Sequence, residues 1–132
     1  MSAIHFSGLS YDLLSEVVAD LANDIAYAES YGIPRTRLII DPGIGGGKSP
    51  EQNLIVLRNL ERMQTLELPI LIAASRKSVI VYVLRVPPDQ RDWGTAAVTA
   101  LAIRSGVDVL RVHNVLLNNH VARMADALVR AK

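Results

Sequence analysis

The chain reads LIIDPGIGGGKS over residues 38–49, an apolar run that stops at a carboxylate and continues as a glycine-rich loop. Two further apolar runs end in polar groups: residues 69–74 lead into Ser75-Arg76-Lys77-Ser78, and residues 107–110 lead into Arg111-Val112-His113. A helix-like segment follows each of the three. Strands that run in the same direction place their carboxyl ends on one rim, where a parallel (β/α) barrel builds its active face. The repeated pattern therefore predicts an α/β fold whose polar tips gather at one rim.

Composition limits the possible functions. The 132 residues are 50% hydrophobic and carry a formal net charge of +1, with basic and acidic residues interspersed. Such a chain can bury a core as one domain over residues 1–132, and it has no basic face for nucleic acid or an anionic membrane. The absence of cysteine excludes disulfides and thiolate metal sites, and no ligand spacing indicates another metal site. No apolar run approaches the ~20 residues that cross a bilayer, so we expect a cytoplasmic protein that binds neither nucleic acid nor membranes.

Apolar periodicity and turn residues predict the order of the elements. Helical spacing predicts a helix over residues 12–31 that ends at Gly32 and Pro34. Residues 79–86 have strand-like composition but lie where a barrel needs a helix, and we interpret them as a short helix. The other expected elements are a fully buried strand over 37–40, a helix capped by Ser49 and Gln52 that carries Leu54, Leu57, Leu60 and Met63, a strand from Pro69, a helix from Gly94 to Arg104, a strand over 107–112, and a last amphipathic helix with Val121, Met124, Ala125 and Leu128.

The glycine-rich loop invites comparison with a phosphate-binding P-loop, but its spacing is wrong. A Walker motif has a glycine, four residues, and then Gly-Lys-Ser, and here Pro42 stands in the place of that first glycine. Asp41 is more informative, because a carboxylate at the end of an apolar strand is expensive to bury without a partner. It can bind a ligand or cap the amides of the loop, and the residues alone leave both interpretations open.

The other two strand tips are cationic. A short basic pair such as Arg76-Lys77 is most often a solvated surface feature, but here it lies on the same predicted rim as the other tips. Arg111 and His113 alternate with a valine, which places both side chains on one face of the strand end. An arginine beside a histidine suits a phosphate or a pyrophosphate. His5 and His120 have no such surroundings, and we interpret them as core residues with satisfied hydrogen bonds.

Together these motifs resemble the carboxyl-terminal half of dihydropteroate synthase. The similarity extends over nearly the whole chain from Tyr11, and the residues that carry it are residues 38–45 with Gly47, Lys48 and Asn53, then Ser75-Arg76-Lys77-Ser78, then Arg91 with Gly94-Thr95, then Arg111-Val112-His113. The resemblance implies the C-terminal part of a TIM-type (β/α)8 barrel that is incomplete as a single chain, since a full barrel takes ~250 residues. Related pterin-dependent methyltransferase domains share the barrel and the aspartate, but they are not expected to carry both cationic motifs.

The resemblance implies a transferase of folate biosynthesis. Such an enzyme condenses 6-hydroxymethyl-7,8-dihydropterin pyrophosphate with 4-aminobenzoate to give 7,8-dihydropteroate and pyrophosphate. By resemblance, Asp41 binds the N–H edge of the pterin, Lys77 reaches the pterin and the aminobenzoate, and Ser78 lies near the benzoate carboxylate. Arg111 stacks on the pterin ring and, with His113, holds the pyrophosphate. Lys77, Arg111 and His113 are therefore the candidate catalytic residues, and Mg²⁺ is the implied cofactor, although the family's usual ligand region for it has no counterpart here.

Several features depart from the resemblance. Gly46 stands where the family usually has a large aromatic, Ala73 replaces a glycine near the pterin ring, and Asn114 replaces an acid after the histidine. Three unclosed parallel strands also predict bare edges, and hence a homo-oligomer or a partner chain that completes the barrel. We therefore expect little activity from this chain alone. A non-catalytic pterin-binding or assembly module and a pterin-dependent methyltransferase domain remain as alternatives, and all three rest on Asp41, Lys77 and Arg111 converging on one cavity.

Overall fold

The computed structural model describes residues 7–132, with side chains described from Asp12 onward. The interpretation of His5 therefore lies outside the described residues. Helices alternate with short parallel strands along this part of the chain. The helices are α1 (Ser7–Ser30), α2 (Pro50–Arg58), α3 (Ser78–Leu84), α4 (Asp92–Arg104) and α5 (Val115–Arg130), the strands are β1 (Leu71–Ile72) and β2 (Val109–Leu110), and 3-10 helices cover Arg35–Arg37, Leu60–Leu66 and Pro88–Gln90. The predicted order is confirmed for the helices and for the second and third strands, which are much shorter than expected, whereas the first predicted strand is reduced to a single bridge at Ile40.

Three chain segments lie parallel and side by side. β1 and β2 pair in parallel, with Leu71 opposite Val109. On the other edge of β1, a single parallel bridge joins Ile40 to Ile70, and the Leu71 amide donates to the Ile40 carbonyl at 2.8 Å. The carboxyl ends of the three segments, after Ile40, β1 and β2, therefore lie next to one another.

The prediction of a fully buried strand over residues 37–40 is wrong. Arg35–Arg37 form a 3-10 helix, only Ile40 makes a bridge, and the Ile39 side chain is 56% exposed. A strand of this composition is buried only when neighbours cover both of its faces. The described residues leave more than half of Ile39 uncovered and pair only Ile40 with a neighbouring strand, so the run is neither fully buried nor part of a longer ladder.

The long first helix is confirmed as α1. Its buried side chains, Leu14, Val17, Leu21 and Ile25, recur every three or four residues and face the core. Gly32 has a φ of +82° and donates to the Glu29 carbonyl, while the Ile33 amide donates to the Ala28 carbonyl. These two bonds satisfy carbonyls at the helix end, and the left-handed φ explains the glycine.

No helix in the described part of the chain is both long and apolar enough to cross a membrane.

The predicted cap of α2 is confirmed. Ser49 Oγ accepts from the Gln52 amide at 3.1 Å, and Gln52 Oε1 accepts from the Ser49 amide at 2.9 Å. The helix ends sooner than expected, because Leu60 and Met63 lie in the following 3-10 segment, where both are completely buried. The buried apolar face of α2 is formed by Ile55 and Val56, whereas Leu54 is 36% exposed.

α3 and α4 contact each other at a glycine. The interpretation of residues 79–86 as a short helix is confirmed, and α3 ends where Arg85 adopts a left-handed φ of 54°. α4 begins at Asp92, two residues before the predicted start at Gly94. A Cβ atom at Gly94 would lie 2.6 Å from Ile80 Cγ2. The absence of a side chain at Gly94 therefore lets the two helices pack closely.

α5 packs against α4 through a polar contact as well as an apolar one. Of the apolar residues predicted for its buried face, only Ala125 is buried, while Met124 and Leu128 are 61% and 66% exposed. Asn118 is completely enclosed, and its Oδ1 accepts a hydrogen bond from Thr99 Oγ1 of α4 at 2.7 Å. A buried pair that satisfies its own polar atoms fixes the relative position of the two helices.

We expect Leu60→Ala to lower the free energy of unfolding by about 2–5 kcal/mol, because the deletion removes apolar contacts and leaves a cavity. Leu60 is completely buried and belongs to the apolar core. Leu128→Ala is the matched control, and its exposed side chain should change the stability by less than about 0.5 kcal/mol. Urea unfolding followed by circular dichroism measures both. Equal losses would contradict the packing described above.

Ser49→Ala should destabilise the protein by about 1 kcal/mol, because the variant loses the side-chain cap of α2. Ser49→Asp keeps an acceptor at the N-cap and should remain within a few tenths of a kcal/mol of the parent. Thermal unfolding of the three proteins provides the comparison. A loss of the same size in the aspartate variant would show that Ser49 acts through something other than its cap.

Candidate active site

Asp41 lies at the first of the three strand tips, directly after the Ile40–Ile70 bridge. Its side chain is exposed, and Oδ1 accepts a hydrogen bond from the Gly43 amide at 2.8 Å. The expected cost of burying this carboxylate therefore does not arise. Of the two interpretations left open by the sequence, the structure shows the loop cap, and the exposed carboxylate can still meet a ligand.

The glycine-rich loop over residues 43–47 is held from both sides. Three of its glycines have φ between +72° and +87°, a region that favours glycine. Lys48 Nζ donates to the Pro42 carbonyl at 2.9 Å and to the Gly43 carbonyl at 3.1 Å. The ammonium group thus binds the loop itself, which agrees with the spacing argument against a P-loop. The buried Asn53 Oδ1 accepts from the Gly45 amide at 3.0 Å and fixes the far side of the loop.

Lys77 connects the second strand tip to this loop. It immediately precedes α3, it is half-buried, and its Nζ donates to the Ile44 carbonyl at 2.8 Å. The same side chain lines two neighbouring cavities. Ser78 follows it as an exposed residue at the start of α3. The position of Lys77 therefore makes it the common wall of both cavities.

The two cavities differ in charge. The first, here called the cation cavity, has a volume of about 630 Å³ and is lined by Ala73, Ser75, Lys77, Arg111, Val112 and His113 among others. The second, here called the loop cavity, has a volume of about 500 Å³ and is lined by Gly43, Ile44, Gly45, Gly46, Lys77 and Ser78. Both fall within the roughly 300–1,000 Å³ of small-molecule sites.

Arg111 and His113 lie at the third strand tip. The Arg111 amide donates to the Ile72 carbonyl at 3.0 Å, which continues the pairing of β2 with β1 up to the rim. His113 Nδ1 lies 2.7 Å from Ser75 Oγ, and the His113 amide also donates to that hydroxyl at 3.1 Å. Ser75 is buried, so it holds the ring through Nδ1. A ligand in the cation cavity would then meet Nε2.

Arg76 has a different partner from its neighbour Lys77. Its guanidinium forms a two-point ion pair with Asp92, with Nε donating to Oδ1 at 2.9 Å and a terminal nitrogen donating to Oδ2 at 3.2 Å. The hydrogen bond from Arg76, followed by one from Asn114, lowers the pKa of Asp92 below its ordinary value. Asp92 compensates the positive charge of Arg76, whereas the charge of Lys77 faces the neutral carbonyl of Ile44.

The structure brings together most of the predicted site residues. Lys77, Arg111 and His113 line the cation cavity, and Lys77 and Ser78 line the loop cavity. Asp41 instead lines a cavity of about 180 Å³ beside α1. The structure therefore brings Lys77 and Arg111 to one cavity, whereas Asp41 is linked to the loop cavity through its bond to Gly43. The convergence of Asp41 with the other two on one ligand stays a prediction.

Two residues of the rim were not singled out from the sequence. Ser75 belongs to a quoted motif, and its pairing with His113 could have been anticipated, because the two residues occupy equivalent places after neighbouring parallel strands. Asp92 carried no signal, because an acid in the first turn of a helix is common and has its own electrostatic explanation.

Other cavities and clusters do not compete with this rim. Another cavity, of about 880 Å³, is lined by residues of α2 and α4, among them Leu54, Leu57 and Leu101. None of the predicted site residues lines it. Within residues 7–132, no group of three histidine, aspartate or glutamate side chains is arranged to hold a metal ion.

Comparison with known sequences gives a consistent result. The sequence pattern of the family described as pterin binding enzyme matches residues 5–113. The dihydropteroate synthase of Clostridium beijerinckii is 42% identical over 120 residues, which cover 90% of this chain and 45% of the relative. That of Bacillus subtilis is 40% identical over 118 residues, which cover 89% of this chain and 41% of the relative. The chain thus spans less than half the length of these curated relatives.

Solved structures agree with the sequences. A dihydropteroate synthase from Clostridium difficile, determined in the presence of pteroic acid, has a TM-score of 0.85 at 47% identity and covers 89% of this chain and 45% of its own. One from Coxiella burnetii, in complex with pteroic acid, has a TM-score of 0.88 at 32% identity and covers 99% of this chain and 47% of its own. The predicted part of a (β/α)8 barrel is therefore confirmed, and the described residues do not close it. The chain belongs to the pterin-binding enzyme family, and it is similar to the carboxyl-terminal part of dihydropteroate synthases.

Proposed function

We propose that this chain supplies the carboxyl-terminal part of a dihydropteroate synthase site, which holds the pyrophosphate ester of a hydroxymethyl-dihydropterin while 4-aminobenzoate attacks it. The cation cavity is the observation that carries this proposal. Lys77, Arg111 and His113 surround a volume of about 630 Å³, and their nitrogens can bind a diphosphate. The two solved relatives described above were studied with pteroic acid, which supports a pterin ligand.

The proposed reaction is a displacement at the methylene carbon of the pterin. The amine of 4-aminobenzoate forms the new carbon–nitrogen bond and gives up a proton, while the carbon–oxygen bond to pyrophosphate breaks. Negative charge grows on the leaving oxygen, and donors fixed at that position lower the barrier. Arg111 and the Nε2 side of His113 hold the leaving group, and binding both substrates at the rim aligns the reacting atoms. No side-chain nucleophile is required.

The pterin is proposed to bind between the loop and the cation cavity. Lys77 borders both cavities, so its ammonium can reach a ring that lies across their junction. Asp41 accepts hydrogen bonds from the N–H edge of the pterin, for which its exposed carboxylate is suited. The bond from Gly43 to Asp41 fixes the carboxylate against the same loop that lines the second cavity.

4-Aminobenzoate is proposed to occupy the loop cavity, with Ser78 near its carboxylate. Gly46 lines this cavity, and the only neighbouring atom that a Cβ there would meet within 4 Å is the Gly43 carbonyl oxygen, at 3.3 Å. Because the resemblance puts a large aromatic at this position, the wall beside the benzoate is more open here. That openness is the observation that favours the second candidate, a pterin-binding module without turnover.

A metal ion, a partner and a location complete the proposal. Mg²⁺ follows from the resemblance, but the described residues offer no matching cluster of ligands, so no step is assigned to it.

Apolar side chains such as Ile39, Leu101 and Leu128 are exposed, which supports a partner that covers them: a second copy of the chain or a polypeptide that completes the barrel. A cytoplasmic location remains the prediction from the lack of cysteine.

Lys77→Ala should weaken the binding of the pterin pyrophosphate by tenfold or more, since a hydrogen bond to a charged group contributes about 1.5–3 kcal/mol. Lys132→Ala removes the same charge at an exposed position and is the matched control. Isothermal titration calorimetry with each purified chain gives the dissociation constants. Equal constants for the two variants would remove Lys77 from the proposed site.

A chimera tests the reaction itself. Replacing the matched segment of the Bacillus subtilis enzyme with this chain should preserve the formation of dihydropteroate from the pterin pyrophosphate and 4-aminobenzoate. Arg111→Ala in the chimera should reduce the rate about a hundredfold, as expected for the loss of one donor to a developing negative charge. The release of pyrophosphate and the consumption of 4-aminobenzoate are both measured.

The same chimera separates the alternatives. Binding of the pterin pyrophosphate without consumption of 4-aminobenzoate would favour the non-catalytic module. Failure of inorganic pyrophosphate to compete with the pterin ligand would instead favour a methyltransferase domain, because the substrates of methyl transfer carry no pyrophosphate. The presence of Arg111 and His113 already disfavours a methyltransferase domain, because both residues suit pyrophosphate, which methyl transfer does not use.

A further inference from the structure

The corner between β1 and α3 is held in an unusual backbone conformation. Arg76 has a φ of 57°, in the left-handed region that residues other than glycine rarely adopt. Strain of this kind persists only where the surroundings hold it in place. Arg76 lies between Ser75, which binds His113, and Lys77, which borders both cavities. The conformation of this one residue therefore sets the positions of two others at the rim.

The start of α4 provides the contacts that hold the corner. The Arg76 amide donates to Thr95 Oγ1 at 3.2 Å, and the Arg91 guanidinium donates to the Arg76 carbonyl at 3.2 Å. Asp92 adds the two-point ion pair with the Arg76 side chain. The backbone and the side chain of Arg76 are thus both bound by residues 91–95.

Asp92 also bonds the third strand tip. Asn114 Nδ2 donates to Asp92 Oδ2 at 3.2 Å, and Asn114 Oδ1 accepts from the Leu117 amide at 3.1 Å to cap α5. Arg76 follows Ser75 directly, and Asn114 follows His113 directly. The bridge through Asp92 therefore lies beside the contact between Ser75 and His113, and both contacts join the same two strand tips.

We propose that Asp92 is a positioning residue, which binds Arg76 and Asn114 at once and thereby fixes the His113 ring against Ser75 in the cation cavity. The benefit to ligand binding rests on the proposed function, whereas the effect on the ring does not. The Asp92 side chain is only 18% exposed and that of Arg76 34%, so solvent screens this pair less than a surface ion pair. Asp92 is not expected to touch a substrate.

The amide at position 114 fits this role. A carboxylate there could still cap α5, but it could not donate to Asp92, and two carboxylates about 3 Å apart repel each other. The resemblance puts an acid at position 114, where this chain has an amide, and the structure supplies the acid from position 92 instead. The cluster therefore needs one carboxylate and one amide. Exchanging the two keeps the bond between positions 92 and 114 and one of the two bonds to Arg76, because an amide at position 92 has a single acceptor oxygen.

The exchange is the test. We compare the parent chain with D92N, with N114D and with the double variant D92N/N114D. The first readout is the nitrogen chemical shifts of the His113 ring, which report its bond to Ser75. His120 is the internal reference, because it is exposed on α5 and not in the core as the sequence predicted. The second is the dissociation constant for inorganic pyrophosphate, and thermal unfolding records stability separately.

We expect D92N and N114D each to change the His113 ring signals and to weaken pyrophosphate binding about tenfold, the size of loss seen when a supporting hydrogen bond is removed. The double variant should return both quantities toward those of the parent. Rescue by the exchanged pair is a result that a purely structural role for Asp92 would not give.

Several results would overturn the inference. Unchanged His113 signals in D92N, with only a lower unfolding temperature, would leave Asp92 as a stabilising residue. A double variant as impaired as D92N would do the same, and this variant decides the question if D92N alone does not fold. If the parent chain does not bind pyrophosphate, the proposed function fails for this chain, while the ring signals still decide the role of Asp92.

Discussion

The parallel pairing on the two edges of β1 determines what the rest of the molecule can do. Ile40 bonds one edge and β2 bonds the other, so three separate parts of the sequence reach the rim at the same level. The register matters as much as the pairing, because a slip of one residue would turn every side chain to the opposite face. The bond from the Arg111 amide to the Ile72 carbonyl sets that register at the rim and brings His113 to Ser75. The candidate site is thus a consequence of a few backbone hydrogen bonds.

Features that depend on neighbouring residues in the chain could be predicted from the sequence. The spacing of apolar side chains in α1, the cap formed by Ser49, and the helix over residues 79–86 all follow from local geometry. The strand over residues 37–40 could not be predicted, since its burial depends on what lies beside it, and Ile39 is mostly exposed. The sequence placed Leu54 among the apolar residues of α2, but Ile55 is the buried one, because only the packed structure decides which of two adjacent apolar residues points inward.

The residues of the candidate site also fall into those that the sequence could predict and those that only the structure shows. The motifs identified Lys77, Arg111 and His113 because each follows directly after an apolar run, and parallel strands bring such positions together. Asp41 follows the same rule in sequence, yet its side chain turns toward its own loop and lines a different cavity. Asp92 lies 16 residues from Arg76 and 22 from Asn114, so no local pattern could connect the three. A side chain that acts between two others becomes visible only when all three are placed in space.

The contact between α3 and α4 has a consequence for how this family can vary. Because a methyl group at position 94 would overlap the Ile80 side chain, the two helices leave no space that either residue could fill alone. A lineage that gains a side chain at position 94 would have to shorten residue 80 and turn the Leu84 side chain away, or move one helix and with it the start of α4. A side chain at position 94 should therefore occur among homologues together with changes in α3, and a mutant library that randomises position 94 by itself would sample mostly destabilised sequences.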